Sequence, residues 1–150
     1  MELKFSDFSG RYTDSLINLN RLYDKYAKTK GLTAIGLSVI EIICLHQDGC
    51  TQKLISEELC YPKQSVNVII RDLIEKGYVV LKAIPEDRRS KNVCLTDAGI
   101  EYAKEVVLPF WAAEAEAEKM FSDEDNFKFY DILEVHIKAL EDIIDKSYSS

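Results

Sequence analysis

The chain is poor in the features that mark several protein classes. No apolar stretch approaches the roughly 18 uncharged residues that a membrane-spanning helix needs. The first residues, MELKFSDFSGRYTDS, carry charges throughout and lack the apolar core of a secretion signal. The four cysteines, Cys44, Cys50, Cys60 and Cys94, form no CxxC pair, so neither a disulfide framework nor a cysteine zinc site is indicated. His46 and His136 stand alone, which leaves no metal-ligand cluster. There is no nucleophile motif, P-loop or dinucleotide fingerprint, and therefore no basis for an enzyme or a cofactor. These absences lead to the expectation of a reduced, cytoplasmic, non-catalytic protein without a membrane partner.

What is present is globular. Apolar residues make up 47% of 150 and charged residues 30%, enough for one real core and too short for two ordinary domains. The net charge of −7 is unevenly spread. Residues 61–100 hold 7 basic and 5 acidic side chains, whereas residues 101–150 hold 5 and 13. An acidic scaffold thus presents one small basic stretch, and phosphate would repel the C-terminal third.

Phe5, Phe8, Tyr12, Leu16, Leu19, Tyr23 and Tyr26 recur at steps of three and four, predicting a long helix over 4–30. Thr33 caps a second helix to about His46, with Ile35, Val39, Ile40 and Ile43 inward. Gln47-Asp48-Gly49 is a turn. Thr51 caps a short third helix, and Pro62 opens a fourth to about Lys76, where Gly77 stops it. Tyr78–Ile84 and Asn92–Leu95 read as strands joined by a polar loop from Pro85 to Lys91. Thr96 caps a fifth helix, which Pro109 kinks or ends early. Ser122 or Asp123 starts the last helix. Its apolar residues lie on two sides, Phe127, Tyr130, Leu133, Ile137, Leu140 and Ile144 on one and Phe129, Ile132 and Ile143 with His136 on the other. A terminal helix of that kind has two neighbours, one of which can belong to another subunit.

The expected fold class is mainly α with a small β-hairpin wing. One domain spans 1–150, with a winged helix region over 32–98 and helical dimerisation segments over 1–30 and 100–150. In a helix-turn-helix the second helix enters the major groove. Here that reader helix, 62–76, offers Lys63, Gln64, Ser65, Asn67 and Arg71, residue types suited to phosphate, guanine and adenine, and Val68, which suits a thymine methyl. Thr51 and Gln52, at the start of the preceding helix, join the candidate DNA contacts. The hairpin tip adds Arg88, Arg89 and Lys91 within a wing over 84–92, placed to enter a minor groove. An ordinary solvated helix face carries the same residue types; the wing and cap motifs following in register set this one apart.

Those motifs resemble the MarR family of bacterial transcription regulators. The likeness rests on Pro62-Lys63-Gln64-Ser65-Val66-Asn67, then Leu73-Ile74-Glu75-Lys76-Gly77-Tyr78, Asp87-Arg88-Arg89 and Leu95-Thr96-Asp97-Ala98-Gly99, in that order and spacing. The resemblance implies a homodimer with one winged domain per subunit and an interface built from the first and last helices. It implies a pseudo-palindromic duplex DNA operator, ligand-responsive repression, and a small-molecule effector held between the first helix and the winged domain. In the family's Asp-x-Arg wing motif the acid orients an arginine that reaches DNA; Asp87 and Arg89 match. Many members carry arginine in the reader helix where this chain has Val68, so base preference does not transfer. Two alternatives stay open. One is a redox-sensing regulator, although the first-helix cysteine of some relatives has no counterpart before Cys44. The other is a winged domain used only for protein contacts.

Overall fold

The computed structural model describes the backbone of residues 7–84 and 87–148, and the side chains of 9–84 and 90–148. Phe5 lies outside the described residues, as do the side chains of Phe8, Asp87, Arg88 and Arg89. The elements are α1 (Asp7–Thr29), α2 (Ala34–Leu45), β1 (Cys50–Thr51), α3 (Gln52–Glu58), α4 (Lys63–Glu75), β2 (Val79–Ile84), β3 (Asp87–Leu95), α5 (Asp97–Val106), α6 (Leu108–Glu118) and α7 (Asp123–Tyr148). The chain divides into two compact units, residues 1–110 and 111–150.

Local chemistry sets the helix ends in the first unit. The side chains of Thr33, Thr51 and Thr96 accept hydrogen bonds from the backbone N–H groups of Gly36, Leu54 and Gly99, satisfying donors that a helix start leaves unpaired. At the end of α4, Gly77 takes φ 75°, a left-handed conformation that costs a residue with a Cβ. Gly77 N–H then donates to the Ile74 carbonyl and Tyr78 N–H to that of Leu73, closing the helix. Val107 separates α5 from α6, and Pro109 sits in the first turn of α6, where its missing N–H removes no bond.

The core comes from the inward residues of each element. Leu37, Val39, Ile40 and Ile43 of α2, Ile55 of α3, Val66, Ile70 and Leu73 of α4, and Val79 and Val93 of the sheet are all buried. Sequence periodicity passed over Leu37: α2 is covered on more than one side, and its inward face is wider than a single stripe. Tyr23 and Tyr26 of α1 pack on Phe110 with ring centroids 4.7 and 4.9 Å apart, and Tyr26 donates its hydroxyl to the Val106 carbonyl at 2.9 Å.

The sheet differs from the expected hairpin in two ways. Its order is β1-β3-β2, all antiparallel, with Cys50 opposite Val93 and Thr51 opposite Asn92. A two-residue strand is too short to show any alternation, so β1 left no trace in the sequence pattern. β3 also runs back to Asp87, through most of the segment expected to be loop. Polar residues are tolerated there because pairing with β2 is a backbone matter, and the outer part of the hairpin has no core face. The register slips between Ala83 and Ile84, so that Ile84 lies opposite Asp87 while Ala83 lies opposite Lys91.

Thr96 ties the wing to the helices. Its N–H donates to the Tyr78 carbonyl at 3.0 Å and its hydroxyl to the Gly77 carbonyl at 2.7 Å. Beside it, Tyr78 stacks on Tyr102 at 4.1 Å and 8°. Gly99 lies so close that a Cβ there would sit 1.9 Å from the Tyr78 carbonyl oxygen.

In the second unit Ser122 starts α7. Its hydroxyl oxygen accepts from Asp125 N–H at 3.1 Å while the hydroxyl donates to the Asp125 carboxylate at 2.6 Å, and the acidic first turn suits the helix dipole. No residue of α7 is buried. No helix among the described residues is long and apolar enough to cross a membrane.

Candidate nucleic-acid interface

The α3–α4 corner is held by its own backbone. Tyr61 N–H donates to the Ser56 carbonyl at 3.0 Å, Ser56 returns its hydroxyl to the Tyr61 carbonyl at 2.6 Å, and Cys60 takes φ 48° to make the bend. Pro62 precedes the first helical residue, Lys63, and supplies no side-chain cap, so the start of α4 carries donors open to an outside acceptor.

Because Val66, Ile70 and Leu73 face the core, α4 turns its other side outward. Lys63, Gln64, Val68 and Arg71 are exposed there, Val68 at 62%, while Ser65 and Asn67 are half-buried. An exposed valine among polar residues gives the face one apolar contact point. Asn67 is already engaged: its amide donates to the Gln52 side-chain oxygen at 2.9 Å, linking α4 to the start of α3. Its own oxygen and its second N–H remain to face a ligand. Thr51 is likewise occupied in part, by its cap bond to Leu54.

Thr51, Gln52, Lys63 and Lys91 come together in one groove of about 240 Å³, which Lys53, Leu81 and Ser90 also line. Sequence reasoning missed Lys53. Nothing in the pattern of a seven-residue helix tells which of its polar residues faces a wing some forty residues on. Asp87, Arg88 and Arg89 have their backbone in β3; the expected support of Arg89 by Asp87 falls on side chains outside those described.

The thiols are mostly sheltered. Burial pushes Cys50 up to about 11, with Glu58 and Cys94 adding to the rise, and burial together with Glu41 raises Cys44. Both shifts disfavour the reactive thiolate. His46 pairs with Glu58 at 2.9 Å, joining the end of α2 to α3.

A helix-turn-helix whose second helix presents a polar outer face, followed directly by a β-hairpin, defines a winged helix-turn-helix protein. Residues 30–90 match the MarR family model. Solved structures agree on the fold. A MarR family regulator from Neisseria meningitidis superposes with a TM-score of 0.80 at 20% identity, covering 95% of this chain and 99% of that one. Staphylococcus aureus MepR in complex with DNA gives 0.71 at 22% identity, covering 91% and 99%. CouR from Rhodococcus jostii bound to p-coumaroyl-CoA gives 0.71 at 21%, covering 88% and 93%. Comparison with curated protein sequences gave no match.

Proposed function

We infer that this chain is a homodimeric, sequence-specific DNA-binding transcriptional regulator of the cytoplasm, acting as a ligand-responsive repressor. The observation that carries the reading is the outward face of α4, with Lys63, Gln64, Val68 and Arg71 exposed beside a wing that adds Lys91. Gln64 and Asn67 read base edges, Val68 meets a thymine methyl, and Arg71 and Lys63 take guanine or phosphate. Ser65, Thr51 and Gln52 support them from the corner. The wing residues Arg88 and Arg89 contact the minor groove or backbone, with Asp87 anchoring Arg89. Support for the DNA partner comes from MepR, a protein of the same fold solved with DNA, and support for a small-molecule effector from CouR, solved with p-coumaroyl-CoA. The homodimer is supported by the apolar residues of α7, which stay uncovered in one chain: Ile132 is 67% exposed and Ile143 61%.

The test is selection of bound fragments from genomic DNA, followed by titration of the selected duplex and a random one. A two-fold dimer prefers an inverted repeat with half-site centres about 34 Å apart, and inserting half a helical turn between them weakens binding sharply. Gln64→Ala narrows the gap between the two duplexes by about 1–3 kcal/mol. Arg89→Ala weakens both duplexes and flattens the salt dependence. Asp87→Ala repeats part of that loss although it removes a negative charge. Tighter binding by Asp87→Ala would refute the anchor, and no binding of any duplex at low salt would refute the function.

A further inference from the structure

We propose that the groove between α3, α4 and β3 is a seat for one phosphodiester of duplex DNA, held jointly by Lys53, Lys63 and Lys91. The proposal rests on the DNA-binding reading above and adds a defined anchor point with a residue, Lys53, that the sequence did not single out. Three lysines from three separate elements line one groove of about 240 Å³, and among the described residues no Asp or Glu lines it. Several lysines elsewhere are matched: Lys28, Lys76, Lys104 and Lys128 each lie within 2.7 Å of an acid one helical turn away. Lys63 has no acid three or four residues to either side, and Lys91 lies on a strand. Only Lys53 has such a partner, Glu57 at 3.5 Å, a looser contact with both side chains largely in solvent.

Like charges around one groove raise the energy of the free protein, and an anion relieves it. The other polar lining points the same way. Thr51 accepts from Leu54 N–H and keeps its hydroxyl proton to give, and Ser90 has a hydroxyl as well. A lining so rich in donors matches a phosphodiester, which only accepts; a base edge needs acceptors opposite its amino groups. Lysine serves as a point charge here, without the fork geometry that arginine would impose. Since Lys63 opens α4, a phosphate fixed in this groove sets how deeply the reader helix enters and in which register, the ordinary office of a backbone contact.

Sharing one phosphate makes a numerical demand. Neutralising one phosphate contributes about 0.9 to the slope of log affinity against log salt, however many cations share it. The experiment measures that slope on random duplex DNA for the parent, for the triple variant Lys53→Gln/Lys63→Gln/Lys91→Gln, and for Lys104→Gln/Lys119→Gln/Lys128→Gln, which loses the same charge elsewhere. The first triple variant is expected to lose about 0.9 of slope per engaged reader helix, so that raising salt from 50 to 200 mM costs the parent about 3.5-fold more affinity per helix. The second is expected to keep the parental slope. An unchanged slope in the first triple variant, or a fall of twice that value or more, overturns the single-phosphate seat while leaving DNA binding intact. Equal losses in the two triple variants also overturn it. A parent that binds no DNA overturns both the seat and the function it rests on. In a last arm, inorganic phosphate is titrated at constant ionic strength. Parental DNA affinity is expected to hold, and competition that the groove variant escapes would assign the groove to the free anion and overturn the proposal.

Discussion

The winged region and the last helix solve the problem of apolar surface differently. Every fully buried apolar side chain among the described residues lies between Ala27 and Phe110, and α7 has none, although it carries Phe127, Phe129, Ile132, Ile137, Ile143 and Ile144. Phe127 is 71% exposed and Val135 70%. One chain therefore completes the core of its winged region by itself and leaves α7 needing cover. The charge divides along the same line, basic around the reader helix and acidic toward the end. In the proposed dimer, the surface offered to DNA is built within one chain, whereas covering α7 with a second copy would make folding and assembly one event.

The joint of the winged region is the point where one added atom should cost most. Gly99→Ala would drive a Cβ to 1.9 Å from the backbone carbonyl of Tyr78, and neither the helix nor the wing base can give way cheaply. A loss of more than about 3 kcal/mol in chemical denaturation is expected. A loss under about 1 kcal/mol would show the joint to be loose.

Next comes a paired test of cover. Leu37→Ala, at a fully buried site, is expected to cost about 2–5 kcal/mol at any protein concentration. Ile132→Asp/Ile143→Asp is expected to act through concentration, shifting sedimentation from about twice the 17.2 kDa chain mass to that of the single chain. An α7 variant that still sediments at twice the chain mass, or a parent that sediments as a single chain, would refute an α7 interface.

A smaller effect separates buried from open thiols. Cys50 has its value raised from 9.0 to about 11 in the fold, chiefly by burial. The folded protein thus holds this proton more tightly than the unfolded chain. The resulting stability is complete below pH 9 and is lost as pH climbs toward 11. Tyr26 and Tyr102, also raised by burial, add their share above pH 10. Denaturation midpoints should fall from pH 9 onward, and Cys50→Val should shrink the decline between pH 9 and 10, to which Cys44 also contributes. An identical decline in the variant would mean that Cys50 does not set it.

The smallest expected change is at the bend before the reader helix. Cys60 adopts φ 48° with its thiol exposed. Cys60→Gly relieves the left-handed cost and adds unfolded-chain entropy, two terms of about 1 kcal/mol and opposite sign. Stability should stay within about 1 kcal/mol of the parent by thermal denaturation, and a larger loss would give the thiol a structural role.

Much of the site was legible because its determinants are local. Thr33, Thr51 and Thr96 announced helix starts through bonds that span three residues, and Gly77 announced a stop. The outward residues of α4 followed from the spacing of Val66, Ile70 and Leu73. The wing was legible as a hairpin, but its extent was not. The backbone pairing that carries β3 back to Asp87 is indifferent to the polar side chains that suggested a loop.

The set of elements and the face each turns inward follow from local sequence, since caps and periodicity act within a turn or two of the chain. That Gln52 holds Asn67, that Lys53 joins Lys63 and Lys91 in one groove, and that Gly99 has to be glycine emerge only when the elements pack. Each of these depends on where two elements cross. The crossing is fixed by the packing of the whole core, to which no single stretch of sequence holds the key.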